Sequence, residues 1–382
     1  MKFRSLFLAA AALVALASGA MAQEVLKVGG LFGTTGPQAN FGVPYSQGLK
    51  LAVEQINAKG GIKAGGKTYK LELSLADTKS DPAQAVAEAQ RMLADGVKIF
   101  FCCNLSSESV PVMQAIMPSG VMMLSPNAAI VQFLGKPDRD LLFRVGNVEA
   151  GSTGSSALWV PYVIEKFKPQ TAALISPSDE AGQIYADTYR QALEANNIKV
   201  VAVERYDHGT TDFTPQLTSI RQKNPDLIMA GYSDEVRGIF RQAVELGIKA
   251  KLAGMVGVSG APGESLSEFA YPSWTRFLGE QQKDPTVLAY MQALEKIGGK
   301  LNASSFWSVT QYDGMNMVAK AMETAGTATD LKAVAQAIRN HTYQGLVAWQ
   351  VDEKGLARQG MEGVYMKDGK VVEIRPITIP TK

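Results

Sequence analysis

The sequence predicts an α/β protein of two lobes, each built around a doubly wound parallel β-sheet, and three observations support this. Short apolar runs rich in β-branched residues alternate with helical patterns along the chain. These apolar runs are nearly continuous, which is typical of strands covered by helices on both faces. The alternation starts again near residue 150 of the 382 residues, and a chain of this length exceeds what one hydrophobic core usually holds.

The first lobe is predicted from four strands with helices between them. The strands are "VLKVGGLF", "LELSLAD", "VKIFFCC" and "GVMMLS". A helix over "GLKLAVEQINAKGG" ends at Gly60–Gly61, because glycine tolerates the left-handed conformation that closes helices. The next helix has Asp81 as its N-cap and Pro82 as its first residue. A third helix follows Ser107.

The second lobe repeats this pattern. Its predicted strands are "TAALIS", "IKVVAVERY" and "DLIMAGY", and its predicted helices lie at 181–196, 213–223 and 234–247. In doubly wound sheets, ligands bind outside the carboxyl ends of the strands. The stretches "NLSSES" and "AGYSDE" stand at two such ends, one in each lobe. They are therefore the first candidates for a functional site.

The first 22 residues are predicted to be a secretory signal peptide. Lys2 and Arg4 precede a short apolar run, and small residues at Ala20 and Ala22 form a cleavage site. The run is shorter than the ~20 apolar residues that span a bilayer. We therefore expect a soluble periplasmic protein that begins at Gln23, where no cysteine is present to carry a lipid.

Composition and cysteine content exclude several classes of function. The formal charge is +2 without basic runs, which argues against nucleic acid as a partner. The two cysteines, Cys102 and Cys103, are adjacent, and neighbouring side chains of an extended strand point to opposite faces. Two buried thiols are therefore favoured over a disulfide, which would need a strained turn. His208 and His341 lie far apart and match no zinc spacing, so we expect no metal and no cofactor.

The hydroxyl-rich stretch "NLSSES" favours binding over catalysis. It lacks the glycines of a nucleophile elbow, and neither histidine is an evident base, so no catalytic residue and no enzyme activity are predicted. A helix start instead offers unpaired N–H groups and a positive dipole end to an anion. Ser106 and Ser107 add hydroxyl donors, although either serine could equally be an ordinary N-cap.

At this point the sequence resembles a family, the periplasmic substrate-binding proteins of branched-chain amino acid ABC transporters. The motifs that carry the resemblance include "GTTGPQANFG", "ADTKSDPAQAVAEAQRMLADGVKIFF", "LSSESVP", "LSPNAA", "TDFTPQLTSIRQKNPDLI", "GIFRQAVELGIKA" and "DEKG". The resemblance implies a type I periplasmic binding fold, a monomer that closes on a ligand between its lobes and delivers it to an inner-membrane permease. It also implies three hinge crossings, near 146, 277 and 355. The implied lobes are 23–146 with 278–355, and 147–277 with 356–382.

The resemblance also implies the ligand-binding residues. The carboxylate-binding serine of the family falls on Ser106, beside Ser107. Contacts from the next loop and from the second lobe, and the aromatic residue beside the ligand side chain, fall on Asn127, Ala129, Tyr232 and Phe41.

Three of the implied ligand-binding positions depart from the family pattern. Ala129 replaces a threonine that helps to hold the ligand ammonium, and Val256 replaces the acid that neutralises it. Ala181 replaces a tyrosine of the second lobe. Apart from these three positions, Ser80 replaces a disulfide cysteine of the family. Because an unpaired buried charge is costly, these changes favour a carboxylate without an α-ammonium group, such as an aromatic, 2-oxo, hydroxy, fatty or dicarboxylic acid.

Two alternatives stay open. An amino acid or amide would bind if an acid from another direction took its ammonium; the candidates are Asp179, Glu180, Asp234 and Glu235. The protein could also be a periplasmic sensor of the same fold, which reports its ligand to a receptor.

Overall fold

The computed structural model describes most of the chain after residue 22. The described residues are 23–36, 39–146, 155–231, 235–254, 268–273, 275, 276, 278, 282–298, 301 and 305–378, without the side chains of 128, 155–157, 180 and 181. Within them the strands are β1 Gln23–Phe32, β2 Ile62–Ala64, β3 Lys67–Asp77, β4 Ile99–Cys102, β5 Met122–Ser125, β6 Leu142–Val145, β7 Thr171–Pro177, β8 Lys199–Tyr206, β9 Leu227–Ala230, β10 Lys251–Gly254, β11 Glu268–Ser273, β12 Thr342–Gln344, β13 Ala348–Val351, β14 Leu356–Gln359, β15 Met361–Lys367 and β16 Lys370–Ile377.

Ten α-helices lie between these strands in the described part of the chain. They are α1 Ala39–Ala58, α2 Pro82–Ala94, α3 Ser106–Ile116, α4 Ser155–Phe167, α5 Glu180–Ala195, α6 Thr214–Lys223, α7 Val236–Glu245, α8 Pro285–Gly298, α9 Ser308–Ala325 and α10 Leu331–Ile338. Short 3-10 helices cover Met117–Ser119, Ala128–Phe133 and Ser305–Trp307. Among the described helices, none combines the length and apolar character needed to cross a membrane.

The first sheet has nine strands in the order β12-β13-β14-β6-β5-β4-β1-β3-β2. Strand β1 pairs in parallel with both β3 and β4, so the chain winds to one side of β1 first and then to the other. This change of direction is the topological switch point, where doubly wound sheets bind ligands. The loops that follow β1 and β4 flank it.

The second sheet repeats this winding around β7. Its order is β16-β15-β11-β10-β9-β7-β8, and β7 pairs in parallel with β8 and β9. The prediction of two doubly wound α/β sheets is confirmed. The sheets are mixed, however, because β2, β12–β13 and β15–β16 add antiparallel pairs at their outer edges. These strands form hairpins, which have no crossover helix between their strands to reveal them in a sequence.

The chain passes between the sheets more than once. The last passage is at Gly360, between β14 in the first sheet and β15 in the second. Residues 356–359 lie before this passage, and not after it as the sequence predicts, because β14 pairs with β6. An earlier passage carries Arg276, whose guanidinium pairs with Glu362 at 3.3 Å and with Asp284. This ion pair joins the segments of two passages.

Several predicted elements are confirmed, and one begins earlier than predicted. The side chain of Asp81 caps α2 by accepting from Gln84 N at 2.7 Å, with Pro82 as the first helical residue. Helix α1 begins at Ala39, although the sequence predicts a start at Gly48. Pro44 and the glycines of this stretch weaken its helical pattern, and tertiary packing outweighs their low helix propensity.

The cysteine prediction is wrong. Cys102 and Cys103 are buried as expected, but they form a disulfide with each other. The prediction assumed that neighbouring side chains alternate between the two faces of an extended strand. The peptide bond between the two residues is cis, and their Cα atoms are 3.1 Å apart.

Gly48 allows α1 and α9 to approach closely, and this contact is testable. A Cβ at Gly48 would lie 1.9 Å from the carbonyl oxygen of Ser308, a backbone atom that cannot rotate away. Gly48→Ala should therefore lower the free energy of unfolding by about 1–3 kcal/mol, as overpacked cores do. Urea unfolding measures this, with Ser46→Ala on the same helix as the control. Equal stability of the two variants would show that the helices can separate without cost.

Candidate functional site

The start of α3 is an uncapped helix N-terminus. Its N-cap position is Leu105, whose side chain cannot accept a hydrogen bond. The alternative that Ser106 or Ser107 is an ordinary N-cap is therefore wrong, because both serines lie inside the helix. Both are exposed, and neither backbone N–H has a partner among the described residues. The two N–H groups are left for a ligand, and so are the hydroxyls, of which that of Ser106 makes one long hydrogen bond of 3.4 Å.

Asn127 connects this helix start to the neighbouring strands. Its amide nitrogen donates to Cys103 O at 2.5 Å and to Ser109 Oγ at 2.8 Å. Its Oδ1 accepts a long hydrogen bond of 3.4 Å from Ser106 Oγ. The sequence predicts Asn127 as a ligand contact; here its donors are already engaged, and only its Oδ1 faces Ser106. Its role toward a ligand is thus mainly to position Ser106.

A buried layer of polar groups supports Asn127 from below. Ser125 Oγ accepts from Asn127 N and donates to Ser109 Oγ, both at 3.3 Å, and Ser109 Oγ donates to Leu105 O at 2.8 Å. Arg144 Nε donates to Asn127 O at 3.4 Å from the end of β6. The sequence analysis includes Ser109 in the stretch "NLSSES" without giving it a role, and it missed Ser125 and Arg144. The polar residue that ends the apolar run "GVMMLS" was the available signal.

The loop after β1 lies against the same site. Gly33 N donates to Asn104 Oδ1 at 2.6 Å, which bridges the switch point between β1 and β4. Gly42 in α1 packs directly on Gly33, because a Cβ there would lie 2.0 Å from Gly33 O. Phe41 therefore stands one residue from this contact. Its ring packs against Trp307 with centroids 5.6 Å apart, so Trp307 is an aromatic neighbour that the sequence analysis missed.

A buried acid lies behind the two serines. Glu108 is in the first turn of α3 and accepts a 2.5 Å hydrogen bond from Thr78 Oγ1. Its other oxygen, Oε2, has no partner among the described residues. Burial raises the pKa of this carboxyl above its usual range, and the nearby Asp81 and Asp77 act in the same direction.

The switch point of the second sheet carries a histidine between two acids. His208 follows β8; its Nε2 lies 3.3 Å from Asp179 Oδ2, and its Nδ1 lies 3.4 Å from Glu235 Oε1. Asp179 also caps α5 by accepting from Gly182 N at 2.8 Å, and Glu235 accepts from Gly209 N at 2.9 Å. Partial burial alone would lower the pKa of His208, but the two carboxylates outweigh it and raise that pKa.

The structure describes only part of the predicted site. Ala129 is half-buried in the 3-10 helix that follows Asn127. Ala181 lies in the first turn of α5, but its side chain is outside the description. Tyr232 and Val256 lie outside the described residues. Of the four acids considered for an ammonium, Asp179 and Glu235 are held by His208, Asp234 is outside the described residues, and the side chain of Glu180 is not described.

Comparison with known proteins gives the family. The family model for periplasmic binding proteins matches residues 25–370, nearly the whole described chain. The chain is a periplasmic binding protein. A relative from Pseudomonas aeruginosa, a leucine-, isoleucine-, valine-, threonine- and alanine-binding protein, is 27% identical over 341 residues, 88% of this chain and 88% of the relative. The resemblance found in the sequence is confirmed.

Solved structures share the fold of this periplasmic binding protein. A branched-chain amino acid transporter substrate-binding protein from Streptococcus pneumoniae, in complex with isoleucine, superposes with a TM-score of 0.73 at 20% identity, over 93% of this chain and 100% of that chain. An ABC transporter solute-binding protein from R. palustris, in complex with 4-hydroxybenzoate, gives a TM-score of 0.71 at 21% identity, over 94% and 98%. Both support the type I periplasmic binding fold.

In this periplasmic binding protein, the described groups suit recognition of an anion. Donors converge at the start of α3, and the described residues contain no group of histidine, cysteine and acidic side chains that could hold a metal ion. The helix dipole adds a positive potential at the same point. The matched family is that of periplasmic binding proteins, and the Pseudomonas aeruginosa relative is an amino acid-binding protein.

Glu108 makes stability depend on pH in a predictable direction. Its folded pKa is raised, so the native state holds this proton better than the unfolded state, and stability falls as pH rises through the folded pKa. Glu108→Gln keeps the bond from Thr78 and removes the buried charge. The variant should melt at a higher temperature than the wild type at pH 8 and at the same temperature at pH 4. A variant that melts lower at both values would show that the charged form is stabilised.

Proposed function

We propose that this chain is the solute-binding component of an ABC importer and that it binds a small carboxylate without an α-ammonium group. Aromatic and 2-oxo acids fit best. The ligand bridges the two lobes, which close on it before it passes to an inner-membrane permease. The observation that carries the proposal is the uncapped start of α3, where Ser106 and Ser107 are exposed beside unpartnered N–H groups.

The carboxylate end of the ligand is proposed to bind at this helix start. A carboxylate there accepts hydrogen bonds from the hydroxyls and the backbone N–H groups, and the helix dipole stabilises its charge. Asn127 offers an acceptor to Ser106 and so competes weakly, at 3.4 Å, for the same hydroxyl hydrogen. A carboxylate accepts charge-assisted hydrogen bonds, which are shorter and stronger.

The absence of an α-ammonium group is inferred from three observations. Ala129 carries no hydroxyl, and the family resemblance assigns Val256 to the place of the neutralising acid. Asp179 and Glu235 were candidates to accept a ligand ammonium, but both are engaged by His208. A buried ammonium without a partner costs about 3–5 kcal/mol, which is a loss of roughly a hundred- to several thousand-fold in affinity.

The comparisons favour two ligand classes. The complex of the R. palustris protein with 4-hydroxybenzoate supports an aromatic acid in this fold. The name of the Pseudomonas aeruginosa relative favours branched-chain and small amino acids, which are the second candidate. The aromatic pair Phe41–Trp307 is compatible with a ring or a branched side chain and does not separate the two.

The role of Ser106 can be tested by substitution. Ser106→Ala should weaken binding of benzoate, 3-phenylpropanoate and 4-methyl-2-oxopentanoate by about 1.5–3 kcal/mol, because it removes a hydrogen bond to a charged group. This is roughly a 10- to 100-fold rise in Kd, measured by titration calorimetry. Ser119→Ala, at the exposed far end of the same helical segment, is the control. Equal affinities for the two variants would remove Ser106 from the site.

The ligand class can be tested with paired compounds. Leucine is compared with 4-methyl-2-oxopentanoate, and phenylalanine with 3-phenylpropanoate, by the shift in melting temperature. The acids without the amino group should raise the melting temperature more, because a ligand bound only by the native state stabilises that state. If leucine gives the larger shift, the amino acid alternative is correct.

A further inference from the structure

We propose that His208 sets the ligand selectivity of the second lobe by occupying Asp179 and Glu235, so that neither acid accepts a ligand ammonium group. The inference rests on the proposed function, since it concerns the same ligand. In this proposal, His208 acts on the ligand through the two acids.

The position of the three residues in the fold supports this role. Asp179 follows β7 and Glu235 follows β9, and these strands flank the switch point of the second sheet. His208 follows β8 and reaches both acids, at 3.3 and 3.4 Å. The side chain of His208 is 55% exposed and that of Asp179 is 47% exposed, so a solute can reach the cluster.

The charges of the cluster explain the effect on ligands. An imidazolium between two carboxylates leaves a net charge of −1 and satisfies both acids, so an incoming ammonium must displace it. Without the imidazolium, two carboxylates remain at the switch point. They attract an ammonium and repel a carboxylate. His208 thus weakens the binding of amino acids and reduces the repulsion of acids.

Other charged groups around His208 are already held. In its own loop, Asp207 accepts a hydrogen bond from Ser178. Arg205, on β8, donates to Ser176 Oγ at 2.7 Å and to Gln183 Oε1 at 2.6 Å. The groups that act on the imidazole are therefore Asp179 from the β7–α5 loop and Glu235 from the start of α7.

The test compares the Kd values of leucine and 4-methyl-2-oxopentanoate for the full-length mature protein. His208→Gln should lower the preference for the acid by about tenfold or more, with the larger change in leucine binding. His341→Gln is the matched control, because His341 is the other histidine of the chain and its ring lies beside a backbone oxygen, Arg339 O, at 2.8 Å. Adding Glu235→Gln to His208→Gln should restore the preference.

A pH series supplies a readout that a merely structural role would not change. The preference of the wild type for the acid should fall as the pH rises from 6 to 8.5 and His208 loses its proton, because the two carboxylates raise the pKa of His208 above its usual value. The preference of His208→Gln should be flat. The inference is overturned if His208→Gln and His341→Gln keep the same preference as the wild type. If the wild type binds no carboxylate at all, the proposed function fails, and the inference fails with it.

Discussion

The parallel order of the strands around β1 and β7 is the constraint on which the polar chemistry of this protein depends. Each sheet winds first to one side of its initial strand and then to the other. The loops that follow two neighbouring strands therefore diverge at the carboxyl edge of the sheet and leave a gap between them. In the first sheet, the hydrogen bond from Gly33 N to Asn104 Oδ1 bridges this gap. In the second sheet, His208 bridges it between two acids. The same fold feature thus carries hydrogen-bond donors in the first sheet and two acids held by a histidine in the second.

The two switch points differ in how their polar groups are satisfied. At the first, Asn127, Ser109 and Ser125 form a closed network, and the groups left over are those of Ser106 and Ser107 at the start of α3. At the second, the described acids have partners within the protein. An anion gains new hydrogen bonds at the first, whereas a cation must displace an existing partner at the second. The proposed selectivity for acids rests on this asymmetry.

Much of the fold could be predicted from the sequence, because each predicted element depends on local patterns. The cap at Asp81 and the strands of both parallel cores are examples. The antiparallel edge strands were missed, since hairpins have no crossover helix between their strands. The disulfide of Cys102 and Cys103 was also missed, because the prediction assumed an ordinary extended backbone there. Likewise, Pro44 concealed the start of α1.

Less of the site could be predicted. Local sequence marked Ser106 and Ser107 as donors, but it could not distinguish a capping serine from one inside the helix, which depends on the backbone at Leu105. The engagement of the Asn127 side chain and the pairing of His208 depend on residues at least 18 positions away, beyond any local pattern.

The proposed ligand is a carboxylate without an α-ammonium group. Native mass spectrometry of the protein, purified from its own cells without refolding, tests this most directly, because it weighs the ligand that the protein selects. We expect a bound mass that matches an aromatic or 2-oxo acid. A bound leucine, isoleucine or valine would contradict it.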